Sequence, residues 1–233
     1  MLMKKLILSM LVLGASAGAA SAQVEIGLKL SPSITYLRTD SPSALDFQSE
    51  KSKLSLGGGL VVDYFFGQNY AFSTGLWLAG KGGTITYLDL DPNSVSTVPS
   101  IRREQKIGLQ YLEVPVTVKL FTNDVATDVK LYFQLGGTAG GVIATRINDE
   151  KRYKDPSNGN AETESSKHVI IPDVSALVGA GAEYQLGQST KIFAGISYHR
   201  GLVNIDKYFD KDRGFQDVTL KNNEIALDLG IKF

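Results

Sequence analysis

The 233 residues carry 24 basic and 24 acidic side chains, no cysteine, and 43% apolar residues. That composition excludes a disulfide framework and a lipid-accepting cysteine, gives no long-range attraction for nucleic acid, and is too apolar for a disordered chain. At the start, Lys4 and Lys5 precede the apolar run Leu6 to Leu13, and the small-residue stretch from Gly14 ends in Ala20-Ser21-Ala22. This pattern reads residues 1–22 as a secretory signal peptide. A membrane-crossing helix needs about 20 apolar residues, and neither this run nor any later segment is long enough. Without Lys4 and Lys5, residues 23–233 count 22 basic against 24 acidic side chains, a formal charge of −2, and are expected to form one domain.

From Val24 onward the chain shows alternating or small-residue-rich segments and no helical period of useful length. The alternation predicts eight strands: Val24 to Leu37, Leu54 to Phe66, Tyr70 to Tyr87, Ile107 to Phe121, Val129 to Ile147, Val169 to Leu186, Lys191 to Ile205, and Asn223 to Phe233. Their connections alternate between long polar loops and short turns such as Gly67-Gln68-Asn69 and Gly187 to Thr190. The expected fold is therefore all-β, an eight-stranded antiparallel up-and-down barrel with its long loops at one end. Short turns inside and long loops outside are the pattern of a transmembrane barrel of an outer membrane. Pro115 and Pro172, unable to donate to a ladder, predict bulges.

A soluble barrel with an apolar interior would alternate in the same way, so the two faces have to be told apart. One face carries bulky side chains: Leu54, Leu56, Leu60, Val62, Tyr64 and Phe66, then Leu112 to Leu120, then Ile225 to Phe233 at every second position. The opposite face carries small residues and single charges, as suits the narrow lumen of an eight-stranded barrel. Aromatics at the short-turn ends, among them Phe65, Phe66, Tyr70, Phe72, Phe121, Tyr132, Phe133, Tyr184, Phe193 and Phe233, read as an interfacial girdle. Closure is compulsory in lipid, where an open strand edge would leave backbone groups unsatisfied. These three arguments favour the membrane.

Three stretches, "QYLEVPVTVKLF" (Gln110 to Phe121), "SYHRGLVNI" (Ser197 to Ile205) and "NNEIALDLGIKF" (Asn222 to Phe233), resemble the PorT-like outer-membrane β-barrel family. Tyr111 to Pro115, then Tyr198, Gly201 and Leu202, then Gly230 and Phe233 fill the positions that carry the likeness. The resemblance implies a barrel in the outer membrane of a Gram-negative cell, usually without an assigned activity. It implies outer-membrane lipid and the barrel-insertion machinery as partners, with Phe233 as the assembly signal, and leaves open other envelope or secretion proteins. No cofactor or nucleic acid is expected.

The residues offer few catalytic candidates. Ser197 and His199 share one face of the seventh strand and could begin a hydrolase pair, but the alternation of Ile192, Ala194, Ile196 and Tyr198 turns them into the lumen. His168, at the edge of a polar loop, reads as solvated. Glu25, Lys29, Asp63, Glu113, Lys119, Glu183, Asp228 and Lys232 fall on the small-residue face. Their mixed signs predict a lumen charge network that plugs the barrel, with Glu113 paired to Lys119 or to a lysine of a neighbouring strand, because an unpaired buried charge is costly. A narrow channel is the rival reading. "DLDPN" (Asp89 to Asn93) imitates a calcium loop but lacks its later glycine and glutamate, leaving at most a loose cation site. The glycine runs near Leu56 and Leu135 are followed by no phosphate-binding lysine or helix. "RYKDPSNGNAETESSK" (Arg152 to Lys167) reads as solvated surface. The role is expected in the long loops, in envelope structure, secretion-related assembly or surface interaction.

Overall fold

A computed structural model describes residues 24–91, 99–155 and 159–233. The signal-peptide reading of residues 1–22, and Pro92 and Asn93 of the calcium-like stretch, lie outside them. The strands are β1 (Val24–Asp40), β2 (Gln48–Lys51), β3 (Lys53–Gly67), β4 (Tyr70–Asp89), β5 (Ile101–Phe121), β6 (Val129–Ile147), β7 (Arg152–Asp155), β8 (Ala161–Glu164), β9 (Pro172–Gln185), β10 (Lys191–Gly201) and β11 (Thr219–Lys232). Eight of them form a closed antiparallel ring in sequence order, β1-β3-β4-β5-β6-β9-β10-β11, which returns to β1. The short β2 continues the lane of β3 against the outer end of β4, while β7 and β8 make a separate hairpin in the loop between β6 and β9.

The ring closes where the two ends of the barrel meet. β1 and β11 pair from Gly27 opposite Lys232 to Asp40 opposite Thr219. Beyond them Phe233 donates its amide to the Ile26 carbonyl at 2.9 Å and accepts the Ile26 amide at 3.2 Å. The predicted eighth strand thus exists, and it begins four residues earlier than expected. β5 likewise starts at Ile101 rather than Ile107, β9 at Pro172 rather than Val169, and β10 ends at Gly201 rather than Ile205. β4 and β5 pair out to Asp89 and Ile101, beyond the ring's common height.

Period-two patterning decides the faces. Leu28, Leu30, Leu54, Leu56, Val116, Leu135, Val178, Ile196, Leu227 and Leu229 are exposed on the outside. Such a continuous apolar belt is untenable on a soluble monomer and is what a lipid-facing wall requires. The neighbours of these residues in sequence point inward and are buried or half-buried. The proline expectation fails: Pro115 stands in register opposite Thr138, and Pro172 opens β9, where its missing donor is harmless. The ladder between β5 and β6 shifts instead at Gln110 and Tyr111. In β4, Gly82 takes a φ of +115°, a conformation L side chains avoid. From Lys81 to Tyr87 every position of the strand is buried.

Candidate functional site

The barrel interior is filled in layers. Nearest the short turns, Lys119 contacts Asp63 at 2.9 Å and Lys232 contacts Asp63 at 2.5 Å. Lys232 also pairs closely with Glu183 and lies 3.6 Å from Glu25, which in turn pairs with Lys191. Three carboxylates and three lysines therefore neutralise one another. Phe65, Phe121, Tyr132 and Phe193 surround them as part of one apolar cluster, with Lys119 and Lys232 5.4–5.8 Å from the aromatic centroids. Gly181 and Gly195 leave no room for a Cβ because the Tyr132 ring lies across them. Four aromatics expected in the girdle thus face inward, since each follows the parity of its strand. Phe66, Tyr70, Phe72, Phe133, Tyr184 and Phe233 do face outward.

In the middle layer Lys29 contacts Asp228 at 3.0 Å and stands 3.2 Å from the centre of the Trp77 ring. Ser31 donates to the same carboxylate at 2.7 Å. Ser197 and His199 lie in this layer, their Oγ and Nε2 3.3 Å apart. Both are buried, and His199 Nδ1 has no hydrogen-bond partner, so no third group orients the imidazole as a hydrolytic triad demands. The cavity between Lys29, Trp77, Glu113 and His199 has a volume of about 10 Å³, room for one water.

The next layer out holds the residue that patterning missed. Lys81 is 1% exposed and contacts Glu113 at 2.5 Å and Asp173 at 3.6 Å. Asn222 ties this group together, donating to Asp173 at 3.0 Å and to the Tyr111 hydroxyl at 3.1 Å. The partner of Glu113 is thus the lysine of the adjacent β4. Lys119, six residues along the same strand, is engaged with Asp63 instead. All eight charges singled out from sequence are buried, but they divide between separate layers.

Above the lumen the long loops do not simply dissolve into solvent. Phe47 of the first loop, Val169 of the third, and Ile205, Tyr208, Phe209 and Val218 of the fourth pack with Leu37, Ile85, Tyr87, Ile107 and Leu109 into one apolar cluster. Phe47 stacks on Tyr87 at 5.0 Å, and the Phe209 ring meets Phe47 edge-on at 4.8 Å. Asp206 holds the turn at Tyr208–Asp212, accepting the Phe209 and Asp210 amides at 3.2 and 3.1 Å. Asp89, first residue of the calcium-like stretch, is engaged by Arg103 and Arg213, both at 2.6 Å.

His168 corrects the sequence reading. It is buried, with its ring 4.0 Å from that of Tyr208 and 5.4 Å from that of Tyr153, because the short turn at Ser165–His168 folds the loop back over the barrel mouth. The Arg152 to Lys167 stretch is likewise only partly solvated: Tyr153, Asp155 and Ser165 are buried.

Residues 16–207 match the family described as outer membrane protein beta-barrel domain. The chain belongs to that family. Among solved structures, this outer-membrane barrel is similar to Neisserial surface protein A, at 11% identity and a TM-score of 0.47 over 91% of this chain and 97% of that one. It is similar to the outer membrane protein OprG of Pseudomonas aeruginosa, at 12% identity and a TM-score of 0.47 over 89% and 95% of the two chains. It is also similar to Ail, the attachment invasion locus protein of Yersinia pestis, at 15% identity and 0.42 over 91% and 99%. No curated protein matches the sequence. The barrel resides in the outer membrane of a Gram-negative envelope, with the apolar belt in lipid. In barrels of this kind the long loops lie on the extracellular side.

Two predictions follow from these layers. Lys81→Met leaves Glu113 and Asp173 buried without their cation and should cost about 3–5 kcal/mol, the usual penalty for orphaning a buried charge. Adding Glu113→Leu should recover part of it; urea titration of the reconstituted barrel reads both. The second concerns acid. Burial lowers the affinity of His168 for its proton below the ordinary 6.5, with Asp155 and Asp212 opposing. Below pH 6.5 the undocked loop therefore takes up protons more readily than the docked one, and the cap loses stability as pH falls. Asp206, pushed up by burial to about 6, acts in the opposite sense, losing stability as pH rises from 3.8 towards 6. His168→Phe should flatten the acid-side loosening of residues 202–218, measured by amide exchange at pH 5 and pH 7 after correction for intrinsic rates.

Proposed function

We propose that this barrel is a non-catalytic scaffold with a plugged lumen, whose role in envelope structure, secretion-related assembly or surface interaction is carried by its outer loops. The observation that carries the reading is the continuity of the filling. Ion-paired layers occupy the interior from Glu25 to Asp173, and the aromatic cluster around Phe47, Tyr208 and Phe209 lies over the outer mouth. A filled lumen speaks against a diffusion path. The burial of Ser197 and His199, away from both lipid and rim, speaks against a lipid hydrolase. The likeness of Tyr111 to Pro115 and of the closing strand to PorT-like barrels supports a place in that subgroup. The order of lysines, apolar run and small residues in 1–22 supports export before insertion.

Full-length protein reconstituted in planar bilayers should give no stepwise conductance; regular steps would mean an open lumen and would overturn the plug. For assembly, Phe233 makes the last ladder pair with Ile26 and presents its ring at the lipid boundary. We assign it the part of the signal read by the insertion machinery. Deleting Phe233 should lower the fraction of heat-modifiable, folded barrel in outer-membrane fractions while leaving export unchanged. Normal insertion of the shortened chain would refute the assignment.

A further inference from the structure

The outward wall formed by β10, β11 and β1 changes character at its outer end. Below, Ile34, Ile196, Ile225 and Leu227 are exposed and apolar. Above them the same face carries Tyr36 and Tyr198, and then Arg38, Arg200 and Lys221. Register brings these cations together: Arg38 stands directly opposite Lys221, while Asn223 stands opposite both Arg200 and Tyr36. Like charges opposite one another across a ladder are destabilising. Among the described residues none of the three forms an ion pair. Asp40, two positions further out on β1, makes none with them. Arg38 donates to the Gly201 carbonyl at 3.2 Å, which uses one of its five donors. Between them Asn223 is buried at 3% exposure, and its amide oxygen has no partner.

Height along the barrel decides what can meet this group. With a rise of about 3.3 Å per residue and a tilt near 40°, the ten steps from Val24 to Ile34 cover about 25 Å along the axis, the height of an outer-membrane apolar band. Arg38 then lies about 10 Å beyond Ile34, at the level of lipid headgroups. On β5 a rim lysine does have its counter-charge: Lys106 is paired with Asp149 at 2.8 Å.

We propose that Arg38, Arg200 and Lys221 form a site for the phosphate-bearing headgroup of an outer-leaflet glycolipid, whose acyl chains lie along the apolar wall beneath. Phosphate oxygens supply the counter-charge that the protein does not, and guanidinium groups match their geometry. A headgroup hydroxyl or amide N–H satisfies Asn223. The commitment is to a lipid phosphate because the cations sit directly above the lipid-facing surface.

Native mass spectrometry of the full-length barrel in detergent tests this with three probes: diphosphorylated lipid A, the same lipid dephosphorylated, and inorganic phosphate. The diphosphorylated lipid should bind in preference to the dephosphorylated one. Arg38→Gln/Arg200→Gln/Lys221→Gln should weaken it by on the order of a hundredfold, at roughly fivefold for each basic residue, while Lys106→Gln binds as the parent does. If the triple variant fails the heat-modifiability check for folding, Arg200→Gln alone, the most exposed of the three, should still show its fivefold loss. Equal binding of the two lipids, or a folded variant that binds unimpaired, would overturn the proposal. Inorganic phosphate competing the lipid off at equal occupancy would make this a soluble-anion site and overturn the lipid assignment.

Discussion

The constraint on which this molecule depends is the absence of water in the bilayer core. Every strand N–H and C=O at that depth must find a partner in the protein, so the sheet cannot have an edge. The seam between β1 and β11 removes it. Because that seam joins the first and last strands of the barrel, each connection in between can be a hairpin. The ring of eight then has an interior just wide enough for side chains to fill. Register, face and lumen content all follow from the closing pair.

A narrow lumen is a demanding place for charge. Each inward position is within reach of side chains from several strands, and little room remains for water to screen them. Removing one member of a buried pair is far costlier than replacing both with apolar groups, so charges here persist as matched sets. The inner layer shows this, with Glu25, Asp63 and Glu183 distributed over Lys119, Lys191 and Lys232. Aromatic rings packed over glycines fill the space between. The Lys81 layer is built differently: one ammonium faces two carboxylates, and Asn222 supplies further donors.

Much of this was legible in the sequence because period-two alternation is a local property. The strands, the outward belt and the eight lumen charges follow from it directly. The parity of Leu112 to Leu120 also turns Phe121 inward, as that of Ile192 to Ile196 turns Phe193, although a count of aromatics at the short turns assigns them to the girdle. Lys81 escaped because Gly80, Gly82 and Gly83 interrupt the alternation around it. The cap escaped for another reason. Its loop members stand far apart in polar stretches, Phe47 near serines and His168 beside lysine, and only the closed ring brings residues 47, 87, 169 and 209 to one mouth.

The division between an apolar cap and an ion-paired lumen has a physical origin in where the hydrophobic effect operates. Against lipid, the belt of leucines and valines favours insertion but gives strands no reason to hold together, since acyl chains solvate them as well as neighbouring side chains do. Cohesion beyond the backbone ladder must therefore come from the interior and from the loops. Outside the membrane, water restores the drive to bury Phe47, Tyr208, Phe209 and Phe215, and the loops collapse onto the rim rather than extend from it. The polar residues that dominate their composition are left on the outer surface of that cap. On the wall beside it, where lipid ends and water begins, neither solvent satisfies Arg38, Arg200 and Lys221 as well as an anion held at that depth, so the boundary itself selects the chemistry of what binds there.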